Sequence, residues 1–423
     1  MVKSEEVHCL DISTMKDTSY SATYNWVHVL IAAMTMAATF PGRTHGLGLV
    51  TESLLTDLNL DRLHYGIYNF WATLIGALFC LPIGYWIDRY GCRIVTLFVL
   101  VLLGAVVLWM SQVQSHWELF TTLVLTRGLG QSALSVVSIA LVSKYFPKAQ
   151  LGIAMGVYSV IMSFFFILIN ACMGQALNYG VHWRTAWAAV GIVELLICTP
   201  LAFFLIRRPS LALLQANSTE QTASEVSSEL PGVSCREVLG TYSFWIIALS
   251  ISFFGLTSSG ISLFQQSILQ ERGFDAWMYR LLLILPFPVG LAFNLIGGVL
   301  CRYFPIRRIL AVALFVMGAG YFLFPWIQTT TQVIVYTLLM SAAGGTLTVL
   351  FFSVWAVLYG QRDVGRIQGI AQMATVFASA VGPPFFAASQ QWIHSYSPVF
   401  YFCGSITILF AVAAFRLKLQ DRR

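Results

Sequence analysis

The segment Gly84–Arg93, "GYWIDRYGCR", is a short polar stretch between two long apolar parts of the chain. Its ten residues include two glycines, one aspartate and two arginines. The flanking residues 66–87 and 94–113 each provide about 20 apolar positions, enough to cross a hydrocarbon core roughly 30 Å thick. The segment therefore predicts a tight loop that joins two membrane-spanning helices at one face of a membrane.

The same alternation of apolar stretch and short polar loop continues along the whole chain. Of the 423 residues, 58% are hydrophobic and only 10% are charged, whereas soluble domains carry about a quarter charged residues. We predict twelve spans, at residues 25–54, 66–87, 94–113, 118–143, 150–177, 186–206, 242–268, 279–300, 308–327, 331–357, 368–390 and 398–416. The predicted fold class is an all-α membrane protein with twelve transmembrane helices.

The lysines and arginines predict how the spans are oriented. With an internal N-terminus, the inner segments carry eighteen of the 24 and the outer segments carry four. Cytoplasmic loops hold the excess of these residues, so both termini are predicted to be cytoplasmic, in a multi-pass protein of the plasma (inner) membrane. The net charge of +6 is thus explained by topology, and nucleic acid is not an expected partner.

One change of composition divides the chain into two halves. Residues 207–240 contain "ANSTEQTASEVSSELPG", which is poor in large apolar residues and typical of a flexible linker. The predicted organisation is a cytoplasmic tail (1–24), a six-helix half (25–206), the linker (207–240), a second six-helix half (241–417) and a short tail (418–423). Transporters are commonly built from two such halves, with the substrate site at the midplane between them.

Several motifs carry a resemblance to a known family. The spacing G-x3-D-R-x-G-x-R in Gly84–Arg93 resembles the signature loop of the major facilitator superfamily. Further similar motifs are "TRGLGQS" at Thr126–Ser132, "HWRTAW" at His182–Trp187, "SFWIIALSISFFG" at Ser243–Gly255 and "YGQRDVGRIQGIAQMATVFASAVGPP" at Tyr359–Pro384. The second-half motifs, with "RRPS" at residues 207–210, look like the branch of oxalate/formate antiporters and monocarboxylate transporters. The resemblance implies two six-helix halves and transport by alternating access.

Departures from the family pattern leave the substrate open. The loop after the eighth span has Cys301 where the repeat would place its aspartate. The eighth span also lacks the acid and the arginine that monocarboxylate carriers keep there, and the glycine-rich signature of nitrate carriers is missing. In the first-half loop we expect Gly84, Asp88, Arg89 and Arg93 to form a cytoplasmic gate, although any short cytoplasmic loop is rich in basic residues.

The stretch Phe40–Leu49, "FPGRTHGLGL", places Arg43 and His45 inside the first predicted span. A charged side chain near the bilayer centre costs at least about 2.5–3.5 kcal/mol, so it should face a cavity and find a partner. Pro41 and the neighbouring glycines are expected to loosen the helix there. Arg127, in the fourth span, is the second arginine within an apolar stretch.

Few acids are available to pair with these arginines. The acids within predicted spans are Glu52, Glu118 and Glu194, and none lies centrally in the fourth, fifth, seventh, eighth, tenth or eleventh span. An anionic substrate would compensate the remaining positive charge, since the planar arginine fork can grip a carboxylate with two hydrogen bonds. Alternatively, Arg43 extends to water or pairs with Asp57 or Asp61 in the outer loop. Arg127 likewise has a structural alternative, because the superfamily keeps its motif for packing the first helix against the fourth.

The remaining site residues follow from their polarity within spans. Expected substrate-binding residues are Arg43, His45, Arg127, Gln131, Tyr158, Ser258 and Asn294, with Asn69, Trp71, Ser259, Thr346 and Gln372 as further candidates. His45 and Glu52 are the main candidates for proton coupling, and Glu194 is another. A polar residue inside a span is more often a helix-packing group than a ligand contact, so each has that alternative.

We therefore predict a secondary or facilitative transporter of a small, monocarboxylate-like organic anion, with protons as a candidate coupling ion. A neutral amino-acid carrier and a membrane nutrient sensor that does not transport remain alternatives. The chain has no HExxH, GxSxG or phosphate-loop motif, so an enzyme is not expected. The scattered cysteines and histidines predict no metal site, and no cofactor is expected.

Overall fold

A computed structural model describes residues 26–146, 148–206, 232–275, 277–278, 281–282 and 285–417. The side chains of residues 52, 62, 63, 148 and 149 fall outside that description. The predicted tails, residues 1–24 and 418–423, and residues 207–231 of the predicted linker also lie outside it.

The described chain is helical almost throughout. The first helix, α1, has two pieces, Trp26–Gly42 and Thr44–Leu58. The other helices of the first half are α2 (His64–Tyr90), α3 (Cys92–Met110), α4 (His116–Tyr145), α5 (Gln150–Asn178) and α6 (Trp183–Leu205). Those of the second half are α7 (Tyr242–Glu271), α8 (Pro286–Tyr303), α9 (Ile306–Trp326), α10 (Thr330–Tyr359), α11 (Val364–Ile393) and α12 (Ser397–Arg416).

Ten of these helices are long and apolar enough to cross a membrane, and α1 with α8 completes the twelve. The predicted fold class is thus confirmed. The face on which α1 begins and α12 ends is called the inner face below, and the opposite one the outer face.

The fourth helix of each half starts with the same capping device. Ser115 and Glu118 form a reciprocal capping box at the start of α4, and Thr329 and Gln332 form one at the start of α10. Such a box satisfies backbone N–H groups that have no partner within the helix. Glu118, one of the few acids in a predicted span, therefore caps a helix.

At the outer face of the first half, Asp57 joins the end of α1 to the start of α6. Its carboxylate accepts a hydrogen bond from Trp183 Nε1 at 2.7 Å and lies 3.4 Å from Arg184 Nε. Arg184 Nη1 in turn donates to the carbonyl oxygens of Ser111 and Val113 at 3.2 and 2.7 Å. These contacts tie α1, α6 and the α3–α4 loop together.

The outer face of the second half repeats this arrangement with different residues. The Glu271 carboxylate, at the end of α7, accepts from the Tyr396 backbone N–H at 3.0 Å, just before α12. Arg272 donates to the Pro325 carbonyl oxygen at the end of α9 and to the Ser397 hydroxyl. Since α7 and α12 occupy the places of α1 and α6, the halves are structural repeats despite their different sequences.

The halves meet at the inner face through glycines. A Cβ added to Gly84 of α2 would lie 2.5 Å from the Gly365 carbonyl oxygen in α11, and one added to Gly152 of α5 would lie 2.4 Å from that of Gly298 in α8. Only a residue without a side chain allows backbones to approach so closely. These two crossings hold the inner side of the bundle closed.

The end of the predicted linker is folded onto the second half. Residues Cys235–Leu239 form a short helix whose N-cap is Ser234. The Cys235 backbone N–H donates to the Asp363 carboxylate at 2.8 Å, and the Val233 N–H donates to the Tyr359 carbonyl oxygen at 2.9 Å. The described end of the linker therefore packs beside the loop between α10 and α11.

Candidate functional site

Irregular segments of α1, α2 and α4 meet at the centre of the first half. α1 breaks at Arg43, whose extended backbone (φ −96°, ψ 148°) separates a turn of 3₁₀ helix at Phe40–Gly42 from the second piece. Arg127–Leu134 of α4 is a π-helical segment, a feature frequent at functional sites. A Cβ on Gly42 would lie 2.2 Å from the Thr126 carbonyl oxygen, so the break in α1 is pressed against α4.

Arg127 is enclosed at this junction, with 4% of its surface exposed. Its Nη1 donates to the Gly42 carbonyl oxygen and the Thr44 hydroxyl, both at 3.1 Å, and to Gln131 Oε1 at 2.8 Å. Its Nη2 donates to Asn69 Oδ1 of α2 at 3.0 Å. Arg127 therefore ties α1, α2 and α4 together through neutral acceptors.

Arg43 is half-buried and also contacts neutral groups. Its Nε donates to Thr39 Oγ1 at 3.0 Å, while Nη2 lies 2.8 Å from Ser135 Oγ and 3.2 Å from Met36 Sδ. Among the described residues, Nη1 has no hydrogen-bond acceptor. At 1.5 Å per residue, Met36 and Thr39 lie about 15–20 Å along the helix from Trp26, so the guanidinium is near mid-membrane.

The acids of the described chain lie elsewhere. Asp57 contacts Trp183 and Arg184, and Asp61 caps α2 by accepting from the His64 backbone N–H at 2.9 Å. No described carboxylate lies within 4.0 Å of the Arg43 or Arg127 guanidinium. The alternative pairing of Arg43 with Asp57 or Asp61 is therefore not observed.

Of the two acids predicted as candidates for proton coupling, the structure describes the side chain of Glu194 but not that of Glu52. Glu194 lies in a π-helical turn of α6, and its two carboxylate oxygens are buried without a hydrogen-bond partner in the described chain. Glu52 lies in α1, but its side chain is outside the described part. Glu194 is thus not among the described contacts of either arginine.

His45 and Tyr158 both lie beside the break in α1. The His45 ring packs edge-on against Phe166 of α5, with centroids 5.2 Å apart, and lies 6.0 Å from the Phe40 ring. The Tyr158 hydroxyl is 2.8 Å from Ser138 Oγ, which donates to the Ala32 carbonyl oxygen at 2.6 Å. Tyr158 is thus fully buried and joins α5 to α1 and α4.

One face of α4 carries most of these contacts. Arg127, Gln131, Ser135 and Ser138 follow one another at spacings of four, four and three residues, which places them on the same side of a helix. The first two residues were predicted from the sequence, and the two serines were not. The spacing itself would have revealed them once Arg127 was suspected.

The candidates in the second half are neutral. Ser258 and Ser259 of α7 are half-buried, whereas Asn294 of α8, Thr346 of α10 and Gln372 of α11 are 8%, 8% and 7% exposed. The Asn294 Oδ1 atom is buried without a hydrogen-bond partner in the described chain. Trp71 of α2 is 52% exposed.

Asp88 joins the two halves at the inner face. Its Oδ1 atom accepts from Lys144 Nζ at 2.8 Å and from the Gly365 N–H at 3.0 Å, and its Oδ2 atom accepts from the Arg366 N–H at 2.8 Å. Gly365 and Arg366 form the first turn of α11, where backbone N–H groups lack partners within the helix. We call this set of contacts around Asp88 the inner latch.

The other predicted gate residues have different surroundings. Gly84 lies at the crossing of α2 with α11, as described above. Arg89 is exposed and donates to the Tyr85 hydroxyl at 2.5 Å, and the Arg93 guanidinium lies 4.7 Å from the Phe203 ring centroid of α6. Both of these contacts stay within the first half. Lys144 and Gln361 were not predicted as gate residues. Gln361 Nε2 donates to the Ser143 and Phe146 carbonyl oxygens across the halves.

Two six-helix repeats, a polar centre in mid-membrane and a closed inner face define a membrane transporter with two halves. The chain belongs to the major facilitator superfamily, whose sequence model matches residues 29–330 and again 246–423. It is an integral, multi-pass membrane protein of that superfamily, whose members transport solutes by alternating access. The resemblance seen in the sequence motifs is thus confirmed at the level of the superfamily.

Individual relatives are distant. A stretch of 107 residues is 26% identical to the "Nitrite extrusion protein" of Bacillus subtilis (strain 168) and spans only 25% of this chain and 27% of that protein. The fold is similar to that of the human organic anion transporter MFSD10 (TETRAN), with a TM-score of 0.66 and 16% identity over 93% of this chain and 98% of that one.

Two further solved structures share the fold. The proton:xylose symporter XylE, bound to 6-bromo-6-deoxy-D-glucose, has a TM-score of 0.67 and 15% identity, with 94% of this chain and 96% of that one covered. The transporter FucP in its outward conformation has a TM-score of 0.68 and 13% identity, with 93% and 99% covered. Similarities at this level of identity establish the fold alone, and the oxalate/formate and monocarboxylate branch stays a prediction.

Proposed function

We propose that the protein carries a small organic anion of monocarboxylate type, which binds to Arg43 between the two halves. The observation behind this proposal is that the Arg43 guanidinium has no acidic partner among the described residues. It lies near mid-membrane, no described carboxylate is within 4.0 Å, and Nη1 has no acceptor among the described residues. A charge held in a membrane needs a partner, and a visiting carboxylate supplies one.

The two arginines have different roles in this proposal. Arg127 is 4% exposed and has four neutral acceptors, so it maintains the junction of α1, α2 and α4. Arg43 is half-buried and its Nη1 has no acceptor among the described residues, whereas the unpartnered Nε of Arg127 is buried. Because Nε and Nη2 are already engaged with Thr39 and Ser135, the substrate is held mainly through Nη1, which suits a small anion.

The second half provides the neutral wall of the site. Ser258, Asn294, Thr346 and Gln372 offer hydroxyl and amide groups but no second positive charge. In this proposal one accessible arginine opposite a neutral wall would match one negative charge better than two. This favours a monocarboxylate over a dicarboxylate, and it leaves the ammonium group of an amino acid without an acidic partner among the described residues.

His45 is the proposed coupling group. It lies two residues beyond Arg43, against Phe166 of α5, where a proton on its ring would add to the attraction for an anion. Substrate and proton would then bind together and cross together. The nitrite relative also takes its name from a small anion, which agrees with the proposed substrate charge.

Transport follows from alternating exposure of this site. In the described state the inner latch is closed, so a substrate would enter from the outer face. Rocking of the halves would break the Asp88 contacts to α11 and open the inner face. The termini are proposed to lie in the cytoplasm because the basic residues concentrate on inner segments.

The test is uptake into proteoliposomes of labelled lactate, pyruvate, oxalate, nitrite and neutral amino acids, with and without an imposed pH gradient. Wild type is compared with Arg43→Gln and with Arg308→Gln, which removes an exposed arginine of α9. Truncating one partner of a buried charge pair costs about 2–5 kcal/mol, so Arg43→Gln should lower monocarboxylate uptake by at least about 30-fold. Monocarboxylate uptake should be unchanged in Arg308→Gln.

Dependence of uptake on the pH gradient, lost in His45→Gln, would support proton coupling through His45. Equal uptake by wild type and Arg43→Gln, in a variant that remains folded, would contradict the anion site. Uptake of neutral amino acids without monocarboxylates would favour the amino-acid alternative. Binding without any uptake would favour a sensor.

A further inference from the structure

A groove runs between α7 and α12 at the inner face, away from the central site. It has a volume of about 800 Å³ and is lined by Thr241, Tyr242, Ser243, Ile246, Leu409, Val412, Ala413, Arg416 and Leu417. These residues are the first turns of α7 and the last turns of α12. We call it the α7–α12 groove.

The lining changes from apolar to polar along the groove. Leu409, Val412 and Ile246 form the part nearer mid-membrane, and Leu409 is 65% exposed. Thr241, Tyr242 and Arg416 form the end at the inner face, where Tyr242 is 86% exposed. Tyrosine and arginine favour the headgroup level of a membrane, whereas exposed leucine and valine favour acyl chains. The groove thus has the polarity profile of a phospholipid.

The polar end of the groove is positively charged. Among the described residues nothing accepts a hydrogen bond from the Arg416 guanidinium, and no carboxylate lies within 4.0 Å of it. Arg307 lies close by, since its Nη1 donates to the Leu417 carbonyl oxygen at 3.0 Å. None of the described groove residues is acidic. A lipid headgroup with negative charge would complement this end.

We propose that the α7–α12 groove binds one anionic phospholipid from the leaflet at the inner face, with its headgroup at Arg416 and an acyl chain along Ile246, Leu409 and Val412. The site has a structural route to the inner latch. Ser243 Oγ, at the polar end, lies 2.9 Å from the Tyr359 hydroxyl. Tyr359 is the last residue of α10, before the loop that leads to Gly365 and Arg366 of the inner latch. Bound lipid would brace α7 and α10 while the inner face is closed.

The full-length protein is tested by native mass spectrometry after release from nanodiscs that contain phosphatidylglycerol and phosphatidylcholine in equal amounts. The wild type should retain one phosphatidylglycerol in preference to phosphatidylcholine. Arg416→Gln should lower that retention about fivefold, the factor that corresponds to about 1 kcal/mol per basic residue at an anionic surface. The matched control is Arg302→Gln, which removes an exposed arginine from the last turn of α8 at the same face and should have no effect.

A second variant, Ala413→Phe, fills the apolar part and should lower retention of both lipids. Equal effects of Arg416→Gln and Arg302→Gln would overturn the proposal, as would equal retention of the two lipids by the wild type. Deletion of residues 418–423 tests another occupant. Increased lipid retention after that deletion would show that the tail fills the groove and would also overturn the proposal.

Discussion

The two halves share their framework and differ at their centres. Both start their fourth helix with a capping box, and both fasten the outer end of their first helix with an acid and an arginine. In the first half, α1 is broken and α4 carries a π-helical segment around Arg127. In the second half, α7 is a continuous helix from Tyr242 to Glu271.

This difference separates two requirements of a carrier. The repeated outer networks stabilise each half as a unit, so that the halves can move against each other. Within the described residues, the break in α1, the π-helical segment of α4 and the two arginines all lie in the first half, where broken helices supply polar groups at membrane depth. In the proposed mechanism, charge recognition belongs to the first half, and the second half supplies a neutral surface that closes on it.

The largest expected effect comes from removing the central arginine of the first half. Arg127→Met leaves four acceptors without their donor, at about 1–3 kcal/mol for each one that stays buried. We expect the free energy of unfolding in detergent micelles to fall by roughly 3 kcal/mol or more. Thr346→Val in α10, the counterpart of α4, removes only a hydroxyl that bonds its own helix and should cost about 1 kcal/mol or less.

Arg43→Gln provides the contrast within the first half. Arg43→Gln removes the proposed substrate contact, so uptake should fall by at least about 30-fold. Since Arg43 is half-buried, the free energy of unfolding should change by only about 1 kcal/mol. Similar destabilisation by Arg127→Met and Arg43→Gln would mean that both arginines are structural. The proposed division between a structural and a substrate-binding arginine would then be wrong.

The next effect concerns the inner latch, whose acid comes from the first half and contacts the first turn of α11 in the second half. Asp88→Asn removes the charge that Lys144 and the first turn of α11 contact. Hydrogen bonds to charged groups contribute about 1.5–3 kcal/mol, so the inner-open population should rise about 10- to 100-fold. Spin labels at Ile94 and Tyr303, exposed at the inner ends of α3 and α8, report opening as a longer distance.

Arg89→Gln should leave the same distance distribution unchanged. Its described contacts are with Tyr85 and Tyr90 of its own helix, and it reaches α11 only through Tyr85, whose contact with Arg366 remains when Arg89 is replaced. A shift as large as that of Asp88→Asn would show that the loop acts through its total positive charge rather than through Asp88.

The sequence predicted the framework well because apolar length and basic loops are local signals. Twelve spans, two halves and a special role for the loop around Asp88 all follow from such signals. The two central arginines were also identifiable, since a charge within an apolar span is conspicuous. The different surroundings of the two arginines could not be predicted, because the break at Arg43 and the π-helical segment of α4 depend on how α1 and α4 pack together.

Contacts between distant helices explain the other omissions. Lys144 is at the inner end of α4 and resembles any basic residue near a membrane face, yet it contacts Asp88 of α2. Ser135 is one of several serines in α4, and only its contact with Arg43 marks it. Which faces of two helices meet is a property of the packed bundle, and no local pattern specifies it.

The break in α1 itself yields the next prediction. Gly42→Ala would place a Cβ 2.2 Å from the Thr126 carbonyl oxygen, so α1 must move away from α4. Overpacking of this kind typically costs about 1–3 kcal/mol, and we expect lower stability and lower uptake. Gly48→Ala is the matched control, because nothing lies within 4 Å of its added Cβ. Equal behaviour of the two variants would show that α1 is not held tightly at Gly42.

The smallest expected effect tests why the crossing of α5 with α8 has no acid in the place that Asp88 takes at the crossing of α2 with α11. The crossing of α8 with α5 repeats that of α2 with α11, but Cys301 stands where the repeat would place an acid. Its Cβ lies 3.2 Å from a Cβ added to Gly152, beside the first turn of α5. Cys301→Asp should therefore place a carboxylate near the positive end of α5, which is worth about 0.3–1 kcal/mol.

That gain would lower the inner-open population about two- to fivefold, measured with the same spin labels and compared with Cys301→Asn, which has a similar shape and no charge. A smaller open population in Cys301→Asp alone would show that the second half can form a latch and lacks only the acid. Equal populations in the two variants would mean that the α5–α8 crossing is held by its glycines. The inner face would then open around that crossing, with Asp88 acting as the releasable contact on the opposite side.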